Sequence, residues 1–457
     1  MIHKFYSLPF LSWSADFQFR QHMRQSLWAV PLVGTLVGLG LAGLDLWLEG
    51  QVDLPAGWTY SASAAGSILT TVAAAMVGLV GLVVTVGVLV VQMATGTLSP
   101  RFMRLWYRDR LQKLVLAAFT ATCAFAYALL RQAGSGQVPN LGVTIAAVAV
   151  TVDLVLLLLY LDRFVHALRP VAVGAAMAKG GLGVAAEIDR ELPATREAAS
   201  SDWVSSEADL HVLASRSGAI QAVHTAGLVR LADAAQVVCV LRHTVGDFVT
   251  LGGTLVDVYG PASPGDARRI RGMIAIGHER TIDQDPAFAL RIMVDIAIRA
   301  LSPAVNDPTT ATQMLNHIGA VLSSLGSRES FGNGLREGPD GEVRLAVPTR
   351  SWDDYLELGV TEIRHYGATS LQICRRLRAV LLDLESEVLP VNQPAVLRQL
   401  FLLDRTVDDA FPDEDDRRPA RVADRQGIGG ASQPPGHRST PRSTVGSSGR
   451  REPAGPS

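Results

Sequence analysis

The chain has 457 residues, with 41 basic against 43 acidic side chains and a formal charge of −2. Charged residues make up only 18%, hydrophobic ones 48%, and the mean hydropathy is +0.23. That balance excludes a wholly soluble chain, a wholly disordered one and a basic nucleic-acid binder. Crowding of the apolar residues into the first third excludes a chain embedded in lipid throughout. Three cysteines (Cys123, Cys239, Cys374) share no CxxC spacing, so neither a disulfide scaffold nor a zinc ribbon fits.

A helix needs about 20 mostly apolar residues to cross a bilayer. Four runs qualify after a short amino-terminal segment (residues 1–26): 27–48, 66–93, 111–130 and 141–161. The first is too long for a signal core, contains Asp45 and is followed by no cleavage site, so it reads as a retained span. Its Asp45 lies near the outer end, within reach of the interface. Lysine and arginine in short flanks set orientation. Lys4, Arg20, Arg24, Arg101, Arg104, Arg108, Arg110, Lys113, Arg163 and Arg169 fall on one side and Arg131 alone on the other, ten against one. Both termini, and everything after residue 162, are therefore expected in the cytosol of a bacterial cell, with the spans in its inner membrane.

The second span, about 28 residues, would be ~42 Å long as a helix, beyond a ~30 Å hydrocarbon core, so it tilts or extends past the membrane. Along it Gly66, Thr70, Ala74, Gly78, Gly81, Thr85 and Gln92 step by three, four or seven residues and form one small, weakly polar stripe. Such a stripe reads either as close helix packing or as a pore-lining face in a homo-oligomer. Gly34 and Gly38 make a GxxxG pair on the first span, read as close packing. On the fourth span Asp153 is an ionisable group at a depth where it needs a pair, a proton or water. Counting inward from the cytosolic ends puts Thr35, Thr85, Thr120 and Thr122 at similar depth, which predicts a buried polar layer centred on Asp153. Residues 95–110 are basic and aromatic, with Trp106 and Tyr107, as suits a headgroup anchor.

Past the spans, residues 162–192 read as a helix leaving the membrane and 191–209 as a linker. Residues 210–260 form a β-rich block with turns at Ser217–Gly218, Gly246–Asp247 and Gly252–Gly253. Gly246-Asp247-Phe248-Val249 followed by Gly252 and Leu255 resembles the second hairpin of biotinyl and lipoyl barrel-sandwich modules. The block has no lysine, so only the shape carries over and no covalent cofactor is expected. Residues 261–411 read as a helical module. In it Asp285 and Asp307 each precede a proline and predict capped helices over 286–301 and 308–325. Arg291, Asp295 and Arg299 share one face of the first at i, i+4 and i+8. His278, Glu279, Arg280, Asp283, Asp285, Arg291, Asp295, Arg299, Asn306 and Asp307 form a polar motif. It reads as structural or oligomer contacts, as a ligand or ion site, or as a catalytic site, though no HExxH, EF-hand, P-loop or GxSxG spacing is present. A strand over 342–350 and helices over 352–366, 369–387 and 393–411 follow, and 412–457 reads as a disordered tail.

The segment QDPAFALRIMVDIAIRALSPAVNDPTTA, with HERT upstream and TLSPRFMR after the second span, resembles a large bacterial family of four-span membrane proteins filed as a domain of unknown function. The likeness runs from about Trp28 to Phe411. It implies the topology and a two-part cytosolic region but no activity, cofactor or partner. The expected fold is an α-helical polytopic membrane domain followed by a cytosolic α+β region. The expected function is an oligomeric channel-like or transport-related protein, with a membrane-anchored sensor or scaffold as the alternative and a membrane enzyme third. Lipid and further copies of the chain are the expected partners; no metal is expected.

Overall fold

The computed structural model describes residues 12–49, 59–97, 101, 109–133, 138–167, 169–191, 207–328 and 334–429. Each apolar run becomes one long helix: α2 (Ala29–Glu49), α3 (Ala62–Thr97), α4 (Arg110–Ala133) and α5 (Asn140–Ala167). These four are, among the described residues, the helices long and apolar enough to cross a membrane. α3 is the longest at 36 residues, about 54 Å at 1.5 Å per residue, so it runs well past a hydrocarbon core. α4 sits in the middle and packs on α2, α3 and α5. Hydrophobic burial does not drive helices together in lipid, so close van der Waals approach must do it. Gly34 and Gly38 supply it: a Cβ at either position would collide with the carbonyl oxygen of Ala117 or Ala121 on α4.

The amino-terminal segment holds a helix that periodicity did not flag, α1 (Trp13–Gln25), with Ser12 as its N-cap. It docks on the carboxy-terminal region. Ser14 N–H donates to the Gly272 carbonyl at 2.9 Å, Gln18 Nε2 donates to the Ile276 carbonyl at 2.8 Å, and Trp13 stacks on His224 with centroids 5.0 Å apart. After α5, α6 (Pro170–Glu191) leaves the bundle. Its glycines admit neighbours: Gly174 faces His317 and Met314, and Gly181 faces Ala289.

The next block is mixed, with β1 (Leu210–Leu213), β2 (Gly218–Val223), α7 (Thr225–Ala235), β3 (Val238–Leu241), β4 (Phe248–Val249), β5 (Thr254–Tyr259), α8 (Pro264–Arg271) and β6 (Ile274–Gly277). Two departures from the barrel-sandwich expectation follow. Residues 225–235 are helical, because Leu228 and Ala232, four apart, share a buried face. Strands β4 and β5 join different sheets, so the carrier-type hairpin does not form. One sheet runs β4-β2-β6, all antiparallel. The other runs β1-β5-β3-β8-β7 and takes its last two strands, β7 (Leu335–Glu337) and β8 (Val343–Ala346), from far downstream; β8 lies parallel to β3. Both sheets share one apolar core that includes Ile220, Cys239, Val256, Ile276 and Leu345.

The helical module comprises α9 (Pro286–Ala300), α10 (Pro308–Gly326), α11 (Trp352–Tyr366), α12 (Leu371–Glu387) and α13 (Gln393–Ala410). Asp285 caps α9 through Phe288 N–H and Asp307 caps α10 through Thr310 N–H, each with proline at the first turn. Its core joins these helices to α6 and buries Cys374. The expected disorder from residue 412 needs correction. Residues 412–429 are ordered, with a short helix α14 (Glu414–Ala420). Asp424 is fully buried and accepts from the backbone N–H groups of Gln426, Gly427 and Gly429, while Arg421 pairs with Asp408 on α13. Arginine–aspartate pairing and a carboxylate-wrapped loop hold the segment down where apolar content alone would not. Arg438, Arg442, Arg450 and Arg451, like Trp106 and Tyr107, lie outside the described residues.

Candidate functional site

Asp153 sits in mid-helix on α5 and is 2% exposed. Thr122 on α4, also buried, interacts with this carboxyl group through its hydroxyl. Oδ2 of Asp153 has no hydrogen-bond partner among the described residues. Two turns along the same face of α5 the Tyr160 hydroxyl is buried and unpartnered among those residues, as is Gln112 Oε1 at the start of α4. Lys113 next to Gln112 is satisfied, donating to the Arg24 carbonyl.

The predicted polar layer is smaller than depth alone suggested. Of the four threonines only Thr122 reaches Asp153. Thr120 donates to the carbonyls of Leu116 and Ala117 on its own helix and to that of Pro31 on α2, and Thr35 donates to that same Pro31 carbonyl. Thr85 is exposed and donates to the Gly81 carbonyl on its own helix. Helix rotation, which depth counting ignores, decides which hydroxyl meets which acid.

Asp45 also departs from expectation. It is 3% exposed, packed against Gly142 and Leu129, and both carboxylate oxygens lack partners among the described residues. One turn on, Glu49 accepts from the N–H groups of Asn140 and Leu141 at 2.8 and 3.1 Å, capping α5. An acid inside an apolar run was the signal that could have flagged Asp45.

The stripe on α3 faces outward. Thr70, Ala74, Gly78, Gly81, Thr85 and Gln92 are exposed and Gly66 half-buried, while Leu69, Met76, Val83 and Val90 form the face turned to the bundle. Among the described residues, packing within the chain therefore makes little use of the stripe.

The carboxy-terminal polar motif divides in two. At the junction of sheets and helices Asp285 is 3% exposed, with Arg280 Nε 3.6 Å from its Oδ2. Burial pushes this carboxyl up from its ordinary value, while Arg280, Arg350 and the cap hydrogen bonds pull it back. Gly246, at φ +98°, lets its loop close over the pair, since a Cβ there would strike both side chains. Farther along α9, Arg291 bonds Asp295 at 2.7 Å and Glu362 on α11 at 3.0 Å, and Arg101, just past α3, reaches Asp295. Arg291 holds the Glu362 carboxyl below its ordinary value. Of the two arginines sharing a face with Asp295 on α9, Arg291 pairs with it, and the second guanidinium at Asp295 comes from Arg101. His278 and Glu279 are exposed on the loop after β6, and Asp283 follows in the turn before α9. Asn306 adopts φ +47° in the α9–α10 turn, next to the capping Asp307. Among the described residues no three His, Cys, Asp or Glu side chains gather as a metal-ligand set.

The helices and polar corners so described fall inside a known sequence family. Residues 24–383 match DUF2254, described as a predicted membrane protein. The chain belongs to this family. The match takes in all four span-length helices and both Asp-Pro corners, as the QDPAF…NDPTTA segment led one to expect. An uncharacterized protein of Mycobacterium bovis, Mb1321c, is 31% identical over 415 residues, covering 87% of this chain and 79% of its own. The uncharacterized protein Rv1290c of Mycobacterium tuberculosis matches to the same extent. No solved structure matches the chain.

Proposed function

We propose that this protein is an oligomeric, transport-related membrane protein whose second span, α3, meets further copies along its small-residue stripe, with the carboxy-terminal region acting on it from the cytosol. The observation that carries this reading is the outward, uncovered position of the stripe on α3. Small residues allow close helix approach in lipid, and the stripe runs between exposed large aliphatics of the same helix such as Val77, Val84 and Leu89. The pairs Arg101–Asp295–Arg291–Glu362 support coupling, because they run from the end of α3 into α9 and α11. Docking of α1 on β6 supports placing the amino terminus on the same side as the carboxy-terminal region, and the flanking lysines and arginines favour the cytosol for both.

The test is flux of ions or small solutes through the full chain reconstituted in vesicles, with cross-linking of Gly78→Cys in a cysteine-free background. The reading expects cross-linked oligomers and a flux that Thr85→Leu cuts at least severalfold. Absence of any flux, with Gly78→Cys remaining monomeric, refutes it. A second reading, a membrane-anchored sensor or scaffold, is favoured by the separate apolar cores of the carboxy-terminal region. It expects ligand or partner binding with no flux.

A further inference from the structure

We propose that Asp153 is a proton-binding site inside the bundle of each protomer, so that the species handled by this protein is the proton. This rests on the transport reading and deepens it by placing the chemistry in the protomer's interior and not on the outer stripe of α3.

Four observations converge on Asp153. It lies thirteen residues into α5, counting from Asn140, about 20 Å along the helix, near the middle of a span. It is 2% exposed. The Thr122 hydroxyl interacts with the carboxyl group, and Oδ2 is unpartnered among the described residues. A carboxylate oxygen without a donor in a hydrocarbon layer calls for a proton or a cation. A metal cation of the hard, oxygen-seeking kind takes about six oxygen ligands, whereas this site offers one carboxylate and one hydroxyl already engaged with it. One O–H bond at Oδ2 is what the geometry accommodates.

The surroundings fit a proton entering from the α1 end of the bundle. Tyr160 lies seven residues from Asp153 on the same helix face, about 10 Å away, with its hydroxyl buried and open to a further hydrogen bond among the described residues. Gln112 Oε1 is in the same condition at the start of α4, beside Gly87 of α3. Toward the opposite end, Asp45 is buried against Gly142, eleven residues before Asp153, about 16 Å along α5. Polar groups with spare hydrogen-bonding capacity among the described residues thus stand at three depths of the bundle. In the binding step a hydronium ion passes a proton to Oδ2 and leaves as water. The side chain goes from one negative charge to none, and release reverses the step.

Labelling by dicyclohexylcarbodiimide of the full chain in lipid vesicles tests this. The protonated carboxyl adds across the carbodiimide carbon, its proton moves to nitrogen, and the adduct rearranges to a stable N-acylurea with nothing lost. The peptide carrying Asp153 should gain this adduct. Labelling should fall about tenfold per pH unit on the alkaline side of its titration, vanish in Asp153→Asn and persist in Asp153→Glu. No adduct at any pH in protein that elutes as a folded species overturns the proposal. So does labelling that sodium ions block while pH does not, which would make the occupant a cation. Proton movement into the same vesicles, read by a pH-sensitive dye, separates the two readings. An adduct without proton movement leaves the site standing and removes the transport reading. Proton movement unchanged in Asp153→Asn, with no adduct in the parent, removes the site and leaves transport.

Discussion

Asp257 in the sheet and Asp153 in the bundle are equally hidden, at 0% and 2% exposure, yet their surroundings differ. Asp257 meets His211 at 2.8 Å on one oxygen and Arg242 on the other. Asp153 has the Thr122 hydroxyl nearby and, among the described residues, no hydrogen-bond partner on Oδ2. The contrast is one of degree, since Asp285 Oδ2, Thr312 Oγ1 and Gln399 Oε1 of the carboxy-terminal region also lack hydrogen-bond partners among the described residues, although Arg280 lies 3.6 Å from Asp285. In the carboxy-terminal region Asp295, Asp307 and Asp424 are engaged by arginines or backbone N–H groups. In the bundle Asp45, Tyr160 and Gln112 keep polar atoms without partners. A buried charge that is fully paired is tolerated, and removing one of its partners is strongly destabilising. One left unpaired between membrane helices costs stability, and intramembrane acids of that kind belong with function. The bundle is accordingly held by backbone proximity and the carboxy-terminal region by apolar burial and paired charge.

That division can be broken from either side. The largest effect is expected from Gly38→Leu, which forces a side chain into the Ala121 carbonyl on α4. Overpacking of this kind costs about 3 kcal/mol, and thermal unfolding of the detergent-solubilised protein should drop sharply. Retention of the parent's midpoint would mean that α2 and α4 do not approach as closely as the glycines allow. Next comes Arg291→Ala, which deprives Glu362 of its guanidinium and leaves Asp295 with Arg101 alone. A hydrogen bond to a charged group contributes about 2 kcal/mol, so the loss should appear as lowered thermal stability and faster proteolysis between α9 and α11. Asp307→Ala removes the cap of α10, worth about 1 kcal/mol, together with the bond from the Thr310 hydroxyl; Asp307→Asn should recover most of it in the same unfolding assay.

The smallest effect concerns pH. Glu362 is depressed in the folded protein by Arg291, so below the ordinary glutamate value, about 4.3, the unfolded chain binds more protons than the folded one. Stability then rises with pH through that window, is complete above it, and is lost as the pH falls through the folded value. Glu362 is 43% exposed, so solvent screens much of the interaction. Glu362→Gln should flatten the acid limb of the stability curve slightly, as measured by unfolding between acid and neutral pH. An unchanged acid limb would show that the pair contributes nothing there.

The parts of this molecule that could be read in advance rest on interactions close in sequence. The four long helices follow from run length and apolar content, because a segment must satisfy its own backbone to lie in hydrocarbon. Asp285-Pro286 and Asp307-Pro308 announce α9 and α10, since a cap lies within three residues of the N–H it serves. The helices near 352–366, 369–387 and 393–411 emerge within two residues of their expected bounds. Tertiary structure alone decided the remainder. Whether Thr122 or Thr85 faces Asp153 depends on the rotation of each helix about its axis, which no count of depth contains. The burial of Asp45 depends on Gly142, nearly a hundred residues away, and the pairing of β3 with β8 spans a similar distance. The amino-terminal helix found its partner in β6, and Arg101 came to lie beside Asp295, because those positions adjoin only after the chain has folded.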